Sequence, residues 1–99
     1  MLKEMSTLAV LQFDENPSAQ LSDGYEVYLG VLSQDRTITM PDVSASDGAA
    51  YTVTNSPQSA GVLTVDGFES QLVLGLTNKT LAAGSAVSMV SFGGAWYSM

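Results

Sequence analysis

A chain of 99 residues forms one domain with room for at most a short extra arm, and it buries roughly 60–70% of its unfolded surface. Charged residues make up 13% of it, about half the ~25% of an ordinary globular protein. Ten acids against Lys3, Arg36 and Lys79 leave a net charge of −7, too few cations to track a phosphate backbone or to dwell on an anionic membrane. The acids are scattered, as solubilising charge is. The absence of cysteine and histidine removes disulfides, thiolate chemistry, Ser-His and Cys-His nucleophile systems and most zinc sites.

Sparse charge also carries a positive implication. A small monomer has a large surface to keep wet, so a chain this poor in charge is expected to hide part of it against another chain, as a subunit or assembly component.

In chain order, residues 1–13 superficially resemble a secretion signal. Glu4 interrupts the basic region, the apolar run is only one strand long, and no small-residue cleavage site follows, so an ordinary segment is expected. Nowhere is there the run of ~18 apolar residues that a membrane helix requires. Residues 2–11 have helical spacing, weakened by Thr7 and Val10; residues 6–13 read equally as a first strand. Pro17 and its neighbours break that run, and Asp23-Gly24 turns the chain. Residues 25–32 alternate, with Tyr25, Val27, Leu29 and Val31 on one face. Tyr28 stands opposite and is expected at an interface or a binding surface. A strand over 36–40 stops at Pro41-Asp42, and residues 42–48 read as a loop.

Residues 50–54 are a strand by composition, ended by Asn55-Ser56-Pro57. Residues 61–65 and 68–76 flank Asp66-Gly67, the strongest two-residue hairpin signal in the chain. Turns at Asn78-Lys79 and Ala83-Gly84 precede a strand over 85–92, with Val87 and Met89 on one face and Ala86, Val90 and Phe92 on the other. Gly93-Gly94 then turns into a last strand, 95–98. Trp96 and Tyr97 lie on its opposite faces, so that one ring anchors the core while the other meets a neighbour. The pattern as a whole, short runs punctuated about every eight to twelve residues, predicts an all-β fold, a small antiparallel sandwich or barrel-like unit. Residues 1–34 form a distinct arm or strand pair for partner contact, and residues 35–99 a compact module.

Several of these pieces occur in a recognisable order: Arg36-Thr37-Ile38-Thr39-Met40-Pro41-Asp42, Asp47-Gly48 with Tyr51-Thr52-Val53-Thr54-Asn55, Val65-Asp66-Gly67, Leu81-Ala82-Ala83-Gly84-Ser85-Ala86-Val87, and Gly94-Ala95-Trp96-Tyr97. This order resembles the small β modules of tailed-bacteriophage fibres, spikes and head-decorating proteins, over residues 36–99. The resemblance implies a virion structural protein, commonly trimeric. Such fibre modules usually follow a long repetitive shaft, and here a short segment precedes the module. A capsid decoration or cement protein is therefore expected ahead of a tail-fibre or spike tip that binds a host glycan.

The remaining candidate chemistry is weaker. A carboxylate pair for glycoside hydrolysis is available among Asp42, Asp47, Asp66 and Glu69, but turn chemistry accounts for the aspartates, and no enzymatic activity is expected. Oxygen ligands between Asp42 and Asp47 match no calcium-loop spacing, and Asn78-Lys79-Thr80 fits a glycosylation sequon that reads better as a turn. No cofactor, metal, nucleic acid or membrane partner is expected. The expected partners are further copies of the chain, the major capsid protein or another virion protein. Tyr28, Phe92, Trp96 and Tyr97 are the core or interface candidates.

Overall fold

Runs rich in valine, threonine and aromatic residues suit a pleated, half-buried backbone, and among the described residues they make nine short strands. The computed structural model describes residues 10–14, 18–20, 27–42 and 48–99. Its strands are β1 (Val10–Phe13), β2 (Ser18–Gln20), β3 (Val27–Gly30), β4 (Arg36–Thr39), β5 (Ala50–Asn55), β6 (Leu63–Asp66), β7 (Asn78–Leu81), β8 (Ala86–Phe92) and β9 (Ala95–Ser98). The described residues contain no helix, and hence none long and apolar enough to cross a membrane.

The strands form two mixed sheets. One is five-stranded in the order β1-β3-β5-β8-β9, the other four-stranded in the order β2-β4-β6-β7. From β1 to β6 each strand crosses to the sheet opposite the one before it. Alternate strands therefore lie side by side and parallel: β1 with β3, β3 with β5, β2 with β4, and β4 with β6. Only β7, β8 and β9 add antiparallel pairs. The all-β expectation holds, while the antiparallel one is corrected. The turn signals mark where strands end, but these turns carry the chain to the opposite sheet.

The crossings stack on one another. The β3–β4 and β5–β6 connections are joined by Ser56 N–H to the Gly30 carbonyl (2.8 Å), Ala60 N–H to the Leu32 carbonyl (2.7 Å) and Leu32 N–H to the Ser59 hydroxyl (2.9 Å). They approach so closely that a Cβ on Gly61 would lie within the Gln34–Asp35 backbone. Glycine is needed here for space, not for an unusual φ. Asp35 tightens the same corner by accepting from the Val62 N–H at 2.8 Å.

Inward residues of both sheets form one hydrophobic core. Tyr28, Tyr51, Val53, Met89 and Trp96 come from the five-stranded sheet, and Ile38, Leu63, Val65 and Leu81 from the other. The three rings run in series: Tyr28 stacks on Tyr51 (centroids 5.7 Å apart, planes at 28°), and Trp96 meets Tyr51 edge-on (5.4 Å, 86°). Tyr28 and Trp96 have no exposed surface. Burying rings of this size is worth roughly 2–3 kcal/mol each by area.

Tyr28 thus corrects the sequence reading, which put Val27 and Leu29 on the core face and Tyr28 outside. Gly30, on the Tyr28 side, explains the choice. A Cβ there would meet the Phe13 ring at 3.0 Å, so Phe13 occupies the space a side chain would take and seals that face into the core.

The Asp66-Gly67 hairpin is also corrected. β6 pairs with β7, Asp66 opposite Asn78, and residues 67–77 form a long excursion rather than a strand. A tight turn inside it, Val73 to Leu76, is closed by two hydrogen bonds of 2.7 and 2.9 Å, with positive φ at Leu74 (55°) and Gly75 (81°). Gly67 is confined because a Cβ there would strike the Gln71 carbonyl. Most of the possible helix over 2–11, the turn at Asp23-Gly24 and most of the 42–48 loop fall outside the described residues; Val10 and Leu11, at the end of the first, are strand residues of β1.

Candidate assembly surface

Strand alternation and register place the outer residues of the five-stranded sheet in rows. Val27, Thr52 and Ser88 form one row, Gln12, Leu29, Thr54 and Ala86 the next, then Ala50, Val90 and Tyr97, and finally Phe92 with Ala95. Thr52 and Ser88 share a hydroxyl hydrogen bond of 2.9 Å, which satisfies both groups without presenting a charge. None of the five strands contains an Asp, Glu, Lys or Arg.

On this surface Phe92 is 64% exposed and Tyr97 51% exposed. Phe92 pairs with Ala95 and Val90 with Tyr97, so the two rings are diagonal neighbours across the β8–β9 hairpin, within reach of one another. The glycine pair Gly93 and Gly94 (φ 62° and 83°) makes the turn, since both central positions of such a two-residue hairpin need positive φ. Of the four rings singled out in the sequence, Phe92 and Tyr97 lie diagonally on the surface, whereas Tyr28 and Trp96 belong to the core and are linked through Tyr51.

The free edge of β9 is partly closed. The turn within the 67–77 excursion comes across from the other sheet, with Trp96 N–H donating to the Leu72 carbonyl (3.0 Å) and Leu74 N–H to the Trp96 carbonyl (2.9 Å). A strand edge covered in this way is a poor template for strand addition.

The described charges lie elsewhere. Asp66 lies on the outer face of the four-stranded sheet, whose outer rows are otherwise polar: Thr37, Thr64 and Thr80, then Thr39, Asp66 and Asn78; Lys79, half-buried, stands in register with Val65 on the opposite face. Asp42 accepts from Gln71 Nε2 at 2.7 Å, and Glu69 is exposed in the 67–77 excursion. Arg36 Nε donates to Asp14 Oδ1 at 2.9 Å and its Nη2 to the Ser33 hydroxyl at 3.1 Å. The bond from Arg36, with those from Ser33, holds the Asp14 carboxyl below its ordinary 3.8. This cluster ties the end of β1 to the β3–β4 connection and the start of β4, so the early strands share a frame with the later ones. Among the described residues no group of three or more potential metal ligands forms.

One interior polar residue escaped the sequence reading, which took Asn55 only as a strand stop. Asn55 is fully buried, and its Nδ2 donates to the Gly61 carbonyl (3.0 Å) and the Leu81 carbonyl (2.9 Å). It joins the end of β5 to the β5–β6 connection and to the last residue of β7. Among the described residues its Oδ1 has no partner, and neither does Trp96 Nε1. An asparagine before a proline-containing turn was the available signal, but it reads equally as an ordinary turn residue.

No family model matches this chain, and no curated protein matches it in sequence.

Proposed function

We propose that the chain is a structural component of a tailed-phage virion, a decoration or cement protein whose β-sandwich body binds the assembled capsid and stabilises it. The single observation that carries the assembly reading is the outer face of the five-stranded sheet, whose five strands carry no charged residue and which bears Phe92 and Tyr97. A solvated surface usually intersperses charge among such residues, whereas interface centres are depleted of charge and enriched in aromatic rings. The phage assignment rests on the ordered resemblance over residues 36–99, which also implies copies in threes and a capsid protein as the partner.

The mechanism is mass action. A protein that binds the assembled shell and not its separated subunits lowers the free energy of the shell by an amount that grows with occupancy. No catalytic step is part of this reading. The alternative, a receptor-binding tip, would place carboxylates or amides beside exposed rings to grip a glycan. The described outer face offers Phe92 and Tyr97 alanine, valine, threonine and serine neighbours, and so favours assembly.

The test uses particles made with and without the gene. Particles lacking the protein should break at lower temperature and under milder osmotic shock. Equal resistance together with lost adsorption would replace cementing by receptor binding.

A further inference from the structure

We infer that the immediate occupant of the uncharged face of the five-stranded sheet is another copy of this same chain, so that the protein self-associates before it meets any other partner. The inference rests on the assembly reading above and supplies the partner for that surface.

Charge argues for a like partner. Each copy carries −7, so two copies repel wherever their acids approach. Among the described residues, the acids lie on the four-stranded sheet, on the connections and at the end beside β1. Contact through the five uncharged strands keeps those acids apart, and these strands offer no charge by which to select a basic or acidic partner. Two such faces suit each other chemically, because alkyl, hydroxyl and aromatic groups pack sheet on sheet about 10 Å apart without stranding an ion.

Area sets the strength. Five strands about 4.8 Å apart and about five residues long present roughly 400 Å² in projection. Two opposed copies therefore bury on the order of 800 Å² in projection, and more in accessible surface once side-chain relief counts. That lies at the small end of specific interfaces, near the ~1,200 Å² where stable ones begin. The association should be reversible and in the micromolar range rather than obligate.

Light scattering on a sizing column, with the full chain loaded from about 1 to 500 μM, tests this directly. The expected result is a mass rising with concentration from 10.4 kDa toward twice that value, since two opposed faces close on each other. Tyr97→Lys and, separately, Phe92→Lys should hold the protein at the monomer mass across the range. Each lowers the net negative charge, so loss of association could not come from added repulsion. Thr80→Lys, on exposed β7 of the other sheet, should associate like the parent. Urea midpoints establish that each variant is folded, and Phe92, the more exposed ring, gives a usable variant should Tyr97→Lys fail to fold. A parent that stays at 10.4 kDa at every concentration, or folded lysine variants that associate unchanged, would overturn the inference. Either result leaves the cement reading to its own test on particles.

Discussion

Replacing Asn55 with aspartate should make the stability of this protein strongly pH-dependent, in a direction opposite to acid denaturation. Asn55 gives both of its amide hydrogens to buried carbonyls, those of Gly61 and Leu81. A neutral aspartic acid has one hydrogen to give, so one carbonyl is orphaned at a cost of about 1–3 kcal/mol. An ionised aspartate has none and also faces two carbonyl dipoles in a site closed to water. Burial of this kind raises a carboxyl pKa by up to about 3–5 units, and at about 1.4 kcal/mol per unit that adds roughly 4–7 kcal/mol at neutral pH. Because the folded pKa lies above the unfolded one, this added cost is full above the folded pKa and fades as the pH falls toward the ordinary value near 4. A domain of this size has about 5–15 kcal/mol in all. Asn55→Asp should therefore be largely unfolded at pH 7 and regain much of its stability, relative to the parent, near pH 4.5. Urea unfolding followed by tryptophan fluorescence measures both. A cost under about 1 kcal/mol at pH 7, or one independent of pH, would refute the clasp.

Other outcomes follow from the same structure. Trp96→Ala should cost about 3–5 kcal/mol, read as a fall in urea midpoint, whereas Trp96→Phe should cost far less because Nε1 has no partner to lose. Gly61→Ala, at an ordinary φ, should destabilise by about 3 kcal/mol or more through its collision with the Gln34–Asp35 backbone. Gly75→Ala, strained but in open space, should cost only about 1–2 kcal/mol; thermal unfolding of the pair distinguishes crowding from backbone strain. Since the Asp14 pKa is lowered on folding, its contribution is complete above the ordinary carboxylate value and is lost as the pH falls through the folded one. Asp14→Asn should consequently flatten the acid limb of the stability curve below about pH 4, as checked by denaturation at stepped pH.

The sequence makes the strands legible and leaves their destinations hidden. Residues 36–40, 50–54, 85–92 and 95–98 can be read as strands because composition and turn residues act locally. Sheet membership depends on which strands stack after each crossing, and Val31 to Asp35 looks the same whether it reverses within a sheet or passes between two. The face of β3 is ambiguous because Val27, Tyr28 and Leu29 are all apolar, so alternation cannot choose. A contact with Phe13, far away in sequence, decides it. The outer face was partly visible, since Val90, Phe92 and Tyr97 flank the Gly93-Gly94 turn on one side. Its freedom from charge across all five strands emerges only when β1, β3, β5, β8 and β9 are placed side by side.

The order in which the chain is wound governs how it can be made. β5 needs β8 beside it, and β9, which brings Trp96, is reached only after the 67–77 excursion has supplied the backbone that grips it. A nascent chain that has not yet released residues 86–98 from the ribosome leaves one edge of β5 unpaired and Tyr51 without the ring of Trp96 against it. Folding must wait for the last hairpin, and in that interval a chaperone, or an identical chain emerging nearby, has its best opportunity to bind.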